Sequence, residues 1–160
     1  VLTNRTNAAT SYQLKLIESA VRQLNLGVLP LESSTTQGNE QAFATLARER
    51  IEALVILNDT FFVQQSRQLA SLAIRHRIAS IFGTQDYARA GGLMSYGPEI
   101  GEQFRRSAAY VDKILKGAKA AELPMEQPTV YLLTVNRKTA QAIGRTLPSE
   151  LLFRADKVIE

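Results

Sequence analysis

Most of the side chains able to do chemistry sit in four short polar segments: Asn4 with Asn7, Asn58-Asp59-Thr60, Thr84-Gln85 and Ser95-Tyr96. Each follows a short apolar run. Amides and hydroxyls donate and accept hydrogen bonds without exchanging protons near neutrality, so recognition suits them better than turnover. Asp59 adds a carboxylate that could hold an ammonium group. Tyr96 adds a phenol and an aromatic face for an aromatic or cationic ligand. Each residue alone also fits a turn or a helix cap. Their convergence on one edge of a sheet would make them a binding site.

Catalytic patterns are missing from the chain. The single histidine, His76, stands between two arginines at a helix end, where a surface role fits better than a base. No GxSxG, GxxxxGK[ST] or GxGxxG occurs, which removes the nucleophile elbow, the P-loop and the dinucleotide fingerprint. Gly91-Gly92 precedes its strand rather than following one, the wrong place to cradle a phosphate. Asp59 follows the third visible strand, as a phospho-accepting aspartate does in a receiver domain. The loops that should supply a metal-binding acidic pair and a lysine read NRTN and GTQD instead. The chain therefore reads as a non-enzyme, with no metal and no cofactor implied.

The elements that must position these residues alternate. A helix is expected over 9–24, with Leu14, Ile17, Val21 and Leu24 on one face, then a strand over 28–31 and a loop over 33–39. A second helix follows over 40–50, with Phe43, Leu46, Ala47 and Ile51 inward. The apolar run Ala53–Leu57 has the look of a parallel strand buried on both faces. A third helix over 62–75, a strand over 78–82 and a loop over 83–86 lead to AGGLMSYGPEIG. There a short strand should end in Ser-Tyr-Gly, and Pro98 with Glu99 should open a helix carrying Ile100, Phe104, Ala108, Val111 and Leu115. A Pro-containing connector, a strand over 130–135, a short helix over 137–143 and a last helix over 148–160 complete the chain. Strand and helix alternating in this way predict an α/β fold: a Rossmann-like parallel sheet flanked by helices, with ligands at the strands' carboxyl edge.

Bulk properties agree. One domain of 160 residues with 45% hydrophobic content can bury a core, and no apolar run reaches membrane-spanning length. Cysteine is absent, so disulfides and thiolate chemistry are out, and the compartment stays open. The net charge of +4 comes from basic residues scattered over several elements, without the clustering a nucleic-acid surface needs. Val1-Leu2-Thr3 reads as the tail of a strand already under way, so a fragment of a longer protein is expected.

Three segments carry a family resemblance: LVILNDTFFVQQSRQLASLAIRHRIASIFG, then AGGLMSYG with the helix ending ILKGAKAAELPMEQPT, then NRKTAQAIGRTLPSELLFRADKVIE. Together the chain closely resembles the carboxyl-terminal half of ABC-transporter substrate-binding proteins, whose characterised relatives include tryptophan and aromatic amino-acid binders. The resemblance implies one lobe of a type I periplasmic binding fold, with a small molecule of amino-acid type clamped between two lobes. It implies an extracytoplasmic, periplasmic location and a membrane permease as partner. Residues 1–97 would be the second lobe with its first strand truncated. Residues 98–127 would be a crossover helix and connector that pack on the first lobe, and 128–160 a return strand and terminal helices. Asn4, Asn7, Asn58, Asp59, Thr60, Phe82, Thr84, Ser95 and Tyr96 would face the cleft, with Ser95-Tyr96-Gly97 near the hinge. Where relatives often carry a tyrosine, an acid and a tryptophan, this chain has Phe82, Gly83 and Thr84. The apolar stripe of the 99–116 helix is expected to fold back or to pair with a second copy. The same lobe pair also serves signalling proteins as a ligand-sensing input domain, which is the alternative reading.

Overall fold

The computed structural model describes all residues from Val1 to Glu160. Seven strands form one sheet: β1 (Leu2–Thr3), β2 (Leu31–Glu32), β3 (Ala53–Ile56), β4 (Ala79–Phe82), β5 (Met94–Pro98), β6 (Tyr131–Asn136) and β7 (Lys157–Ile159). They lie side by side in the order β2-β1-β3-β4-β5-β6-β7. Every neighbouring pair is parallel except β5 with β6, which run antiparallel from Met94 opposite Val135 to Pro98 opposite Tyr131. The expected α/β sheet is present, with one reversed step.

The helices are α1 (Thr10–Arg22), α2 (Thr36–Arg48), α3 (Thr60–Gln64), α4 (Ser66–Arg75), α5 (Gln85–Arg89), α6 (Ile100–Leu115), α7 (Arg137–Ala142) and α8 (Ser149–Arg154). The core lies where α2 and α4 cover the sheet. Phe43 and Leu46 of α2, Leu69 and Leu72 of α4, and Leu54, Ile56 and Phe82 of the strands pack there with Phe62 and Tyr87. Asn39, fully buried on α2, donates to Gln68 Oε1 at 2.9 Å and accepts from Ser33 Oγ at 2.7 Å. Those bonds satisfy an amide that would otherwise cost the fold its full desolvation.

Several sequence expectations shift. Strand β2 begins at Leu31 rather than Val28, and α2 starts within the segment read as a loop. Thr35 caps α2 by accepting from Gly38 N, a device its type permits but its neighbours Ser33, Ser34 and Thr36 permit equally. The third helix is two helices that meet at Gln65. Ala53–Leu57 is not buried on both faces, because Ala53 is exposed and Val55 only half-buried. Leu24 and Ala47 are exposed rather than inward. The loop expected after β4 contains α5, which carries the buried Tyr87. The terminal segment forms only α8 before turning into β7.

The largest correction is at Pro98, which continues β5 past the expected Ser-Tyr-Gly end; the helix opens at Ile100 with Glu99 before it. Five consecutive cross-strand pairs with β6 hold the segment extended, and a strand 37 positions away in sequence could not be read from local signals. Pro98 stands at the last paired position, where a missing N–H costs little. Upstream, Gly91 turns the chain at φ +104°, and Gly92 lies flat under Tyr87, whose ring a Cβ would meet. That explains the glycine pair without a phosphate.

Candidate functional site

The carboxyl edge of β1, β3 and β4 brings together the loops at Asn4–Asn7, Asn58–Thr60 and Gly83–Thr84. Asp59 is the hub. Its Oδ1 accepts from Asn4 Nδ2 at 3.0 Å and from Phe61 N at 2.8 Å, and its Oδ2 accepts from Asn7 Nδ2 at 2.8 Å. The outer oxygens of the two amides are also used. Asn4 Oδ1 accepts from Thr6 N at 3.1 Å and Thr6 Oγ1 at 2.9 Å, and Asn7 Oδ1 accepts from Ala9 N at 2.9 Å. Asp59 is at the same time the N-cap of α3. The cluster clasps the β1 loop to the β3 loop.

This environment sets the protonation of Asp59. Partial burial works against the charged form, but hydrogen bonds from Asn4, Asn7 and the Phe61 and Phe62 backbone outweigh it and hold the carboxyl below its ordinary value. A carboxylate so held is fixed and ionised, a poor proton acceptor and a good anchor for positive charge.

Beside the clasp runs an apolar groove of about 310 Å³, lined by Leu16 and Ile17 of α1, Val55 and Leu57, Ile81, and Tyr96. Asn58 and Gly83 close its polar end. Tyr96 is 56% exposed and its ring lies 5.9 Å from that of Tyr131, the neighbouring residue of β6 on the same side of the sheet. A larger concavity of about 430 Å³ lies away from this edge, between α6 and the connector. No sheet-edge side chain reaches it.

The structure thus gathers Asn4, Asn7, Asn58 and Asp59 around one rim, with Tyr96 on the groove below. Thr60 is exposed at the first turn of α3, and Thr84 is half-buried at the start of α5. Phe82 lines the groove beside Ile81, although its ring turns into the core, edge-on to Tyr87 at 5.8 Å. Ser95 is paired with Phe82 across β4 and β5 and shares that buried side. Its hydroxyl and that of Thr134, directly opposite on β6, have no partner. Strand alternation sends Tyr96 to one side of the sheet and Ser95 to the other. Leu16, Ile17 and Tyr131 were not foreseen. Leu16 falls off the expected helix face, and Tyr131 gains its place only through the antiparallel pairing.

A sequence model of the family described as ABC transporter substrate binding protein matches residues 1–159. The chain belongs to that family. Three solved structures share the fold. A conserved domain protein from Vibrio cholerae superposes with a TM-score of 0.88 at 18% identity, covering 98% of this chain and 53% of the other. An ABC domain from Streptococcus pneumonia, solved in complex with L-Trp, gives 0.87 at 19% identity, covering 99% and 53%. A ligand-free, open substrate binding protein with adhesive properties from Clostridium difficile gives 0.71 at 17% identity, covering 99% and 52%. The chain therefore spans about half the length of these three proteins. Among curated proteins a sequence comparison finds no match.

Proposed function

We propose that this chain is one lobe of the solute-binding component of an ABC importer. It would hold a small molecule, an amino acid or a similar compound, between its carboxyl edge and a facing lobe. The observation that carries the reading is the joint placement of a polar rim, Asn4, Asn7, Asn58 and Asp59, and an apolar groove ending at Tyr96. Polar groups fix orientation while apolar walls supply most of the binding free energy, the usual make-up of a small-molecule site. Family membership supports the role, and the L-Trp complex of the pneumococcal neighbour supports the ligand class. Residues 1–97 and 128–160 would form the lobe, and 98–127 would pack on its counterpart. Closure of two lobes would bury the ligand and present a shape that an extracytoplasmic face of the permease reads. No catalysis is part of the proposal.

A thermal-shift panel of amino acids and small organic acids tests it, run on this chain and on a two-lobed chain that adds a facing lobe. The expected result is a rise of several degrees with one ligand class in the two-lobed chain, since ligand binding to the native state alone raises its melting temperature. Half a cleft should bind weakly. Tyr96→Ala removes an exposed ring without opening the core, and should weaken that binding roughly tenfold, about 1.4 kcal/mol. A flat panel in the two-lobed chain would overturn the ligand class. Full binding by Tyr96→Ala would remove the groove from the site.

A further inference from the structure

Gly83 and Gly97 leave space that other residues fill. A Cβ on Gly83 would overlap Asn58 Oδ1 and lie 2.7 Å from its Cγ and Nδ2. A Cβ on Gly97 would overlap the Gly83 carbonyl oxygen and lie 2.8 Å from the Gly83 carbonyl carbon. The Asn58 carboxamide therefore lies on the bare backbone of Gly83, and Gly83 in turn lies on the bare backbone of Gly97. Neither glycine has a positive φ, so the conformation does not demand glycine at either position. Close packing does.

Asn58 has little else to hold it in place. The residue is exposed, and its tie to the β1 loop runs through its backbone carbonyl, which accepts from Asn7 Nδ2 at 3.4 Å. The carboxamide borders the polar end of the groove, where Gly83 lines the same wall. Its orientation comes from the surface it rests on.

We propose that Gly83 is a positioning residue for Asn58. By carrying no side chain it yields to the carboxamide the volume that a position-83 side chain would fill. The wall then presents an uncharged donor and acceptor in place of whatever residue 83 itself could offer. Gly97 sets the height of Gly83, so the β4–α5 loop, Asn58 and strand β5 stack as one unit. What Asn58 is positioned toward rests on the ligand-binding reading. The stack itself does not.

The test uses Gly83→Ala, Asn58→Ala, their double variant, and Gly97→Ala with and without Asn58→Ala. The readouts are urea midpoints and the side-chain amide resonance of Asn58 by NMR, with no ligand added. Gly83→Ala should move that resonance and lower the midpoint modestly, because an exposed amide can swing aside. In the Asn58→Ala background the same change should lower the midpoint no further. Gly97→Ala should lower the midpoint more, and Asn58→Ala should not rescue it, since its obstacle is backbone. An unmoved Asn58 resonance in Gly83→Ala, or a Gly83→Ala penalty that persists without the carboxamide, overturns the proposal. Because none of these arms needs a ligand, a failed ligand panel and a failed stack are separate results.

Discussion

The two sides of this molecule are built to different standards. Under α2 and α4 the sheet is dry: Phe43, Phe62, Leu46, Leu54 and Leu69 are at most 1% exposed and form one continuous cluster. Away from that cluster, neither α1 nor α6 has a single buried residue. Helix α6 has the stronger amphipathic pattern to the eye, yet Phe104 on its stripe is 71% exposed. Amphipathicity in a sequence marks a face meant for contact; it does not say that the contact lies in the same domain. The difference separates a self-sufficient core from a helix whose apolar face has no partner within this chain.

Matched phenylalanine truncations sharpen the comparison most. Phe43→Ala opens a cavity in the closed side and should cost about 3–5 kcal/mol. Phe104→Ala removes a ring already in water and should change stability by no more than about 0.5 kcal/mol. Urea unfolding of both variants measures the contrast. A large loss with Phe104→Ala would mean that the α6 stripe is covered in solution, by folding back or by a second copy. Sedimentation at several concentrations would then tell those two apart.

The closed side also carries a pH signature. Tyr87 is buried, and its hydroxyl shares a 2.5 Å hydrogen bond with Ser80 Oγ. Burial pushes its pKa up to about 12, against the weaker opposing pull of Ser80. A raised folded-state pKa means stability that is complete below the unfolded value, near 10, and lost as pH climbs through 12. At about 1.4 kcal/mol per pH unit, the full loss is on the order of 3 kcal/mol. Tyr87→Phe should abolish that alkaline slope, while leaving the Ser80 hydroxyl unpaired at about 1–3 kcal/mol near neutrality. Unfolding midpoints from pH 8 to pH 12 check both parts. An unchanged slope in the variant would place the alkaline transition elsewhere.

The same contrast governs what could be read from the sequence. Helices and strands whose periodicity is answered within the domain, such as the Phe43 and Leu46 face of α2 and the β3 run, were legible from residue types alone. So was the gathering of Asn4, Asn58 and Asp59, because strand ends in a parallel sheet share an edge. What was lost depended on distant partners. Pro98 is a good first residue of a helix by its own chemistry, and only β6 alongside makes it strand. Ser95 and Tyr96 were expected to face the cleft together, although alternation along β5 buries the first and exposes the second. Phe82 borders the groove as expected, but the burial of its ring against Tyr87 was hidden, because Tyr87 is carried by α5, a five-residue helix inside an apparent loop.

The smallest expected effect concerns how α6 is held although nothing covers it. The connector after it lies along the helix, tied by Tyr110 Oη donating to the Pro124 carbonyl at 2.6 Å. Arg106 joins Glu102 at 3.4 Å, Glu126 at 2.9 Å and Thr129 Oγ1 at 3.1 Å, and the bonds to Glu102 and Glu126 raise its pKa further. Ion pairs this exposed add little to global stability, because water and salt screen them. Their effect should be local. Arg106→Ala is expected to leave the global urea midpoint where it was, while amide exchange across 117–130 accelerates and becomes insensitive to salt. In the unaltered chain, raising salt should itself speed exchange in that segment. If Arg106→Ala instead lowers the global midpoint, the arm and the core unfold together, and the separation between a self-sufficient side and a loosely held one fails.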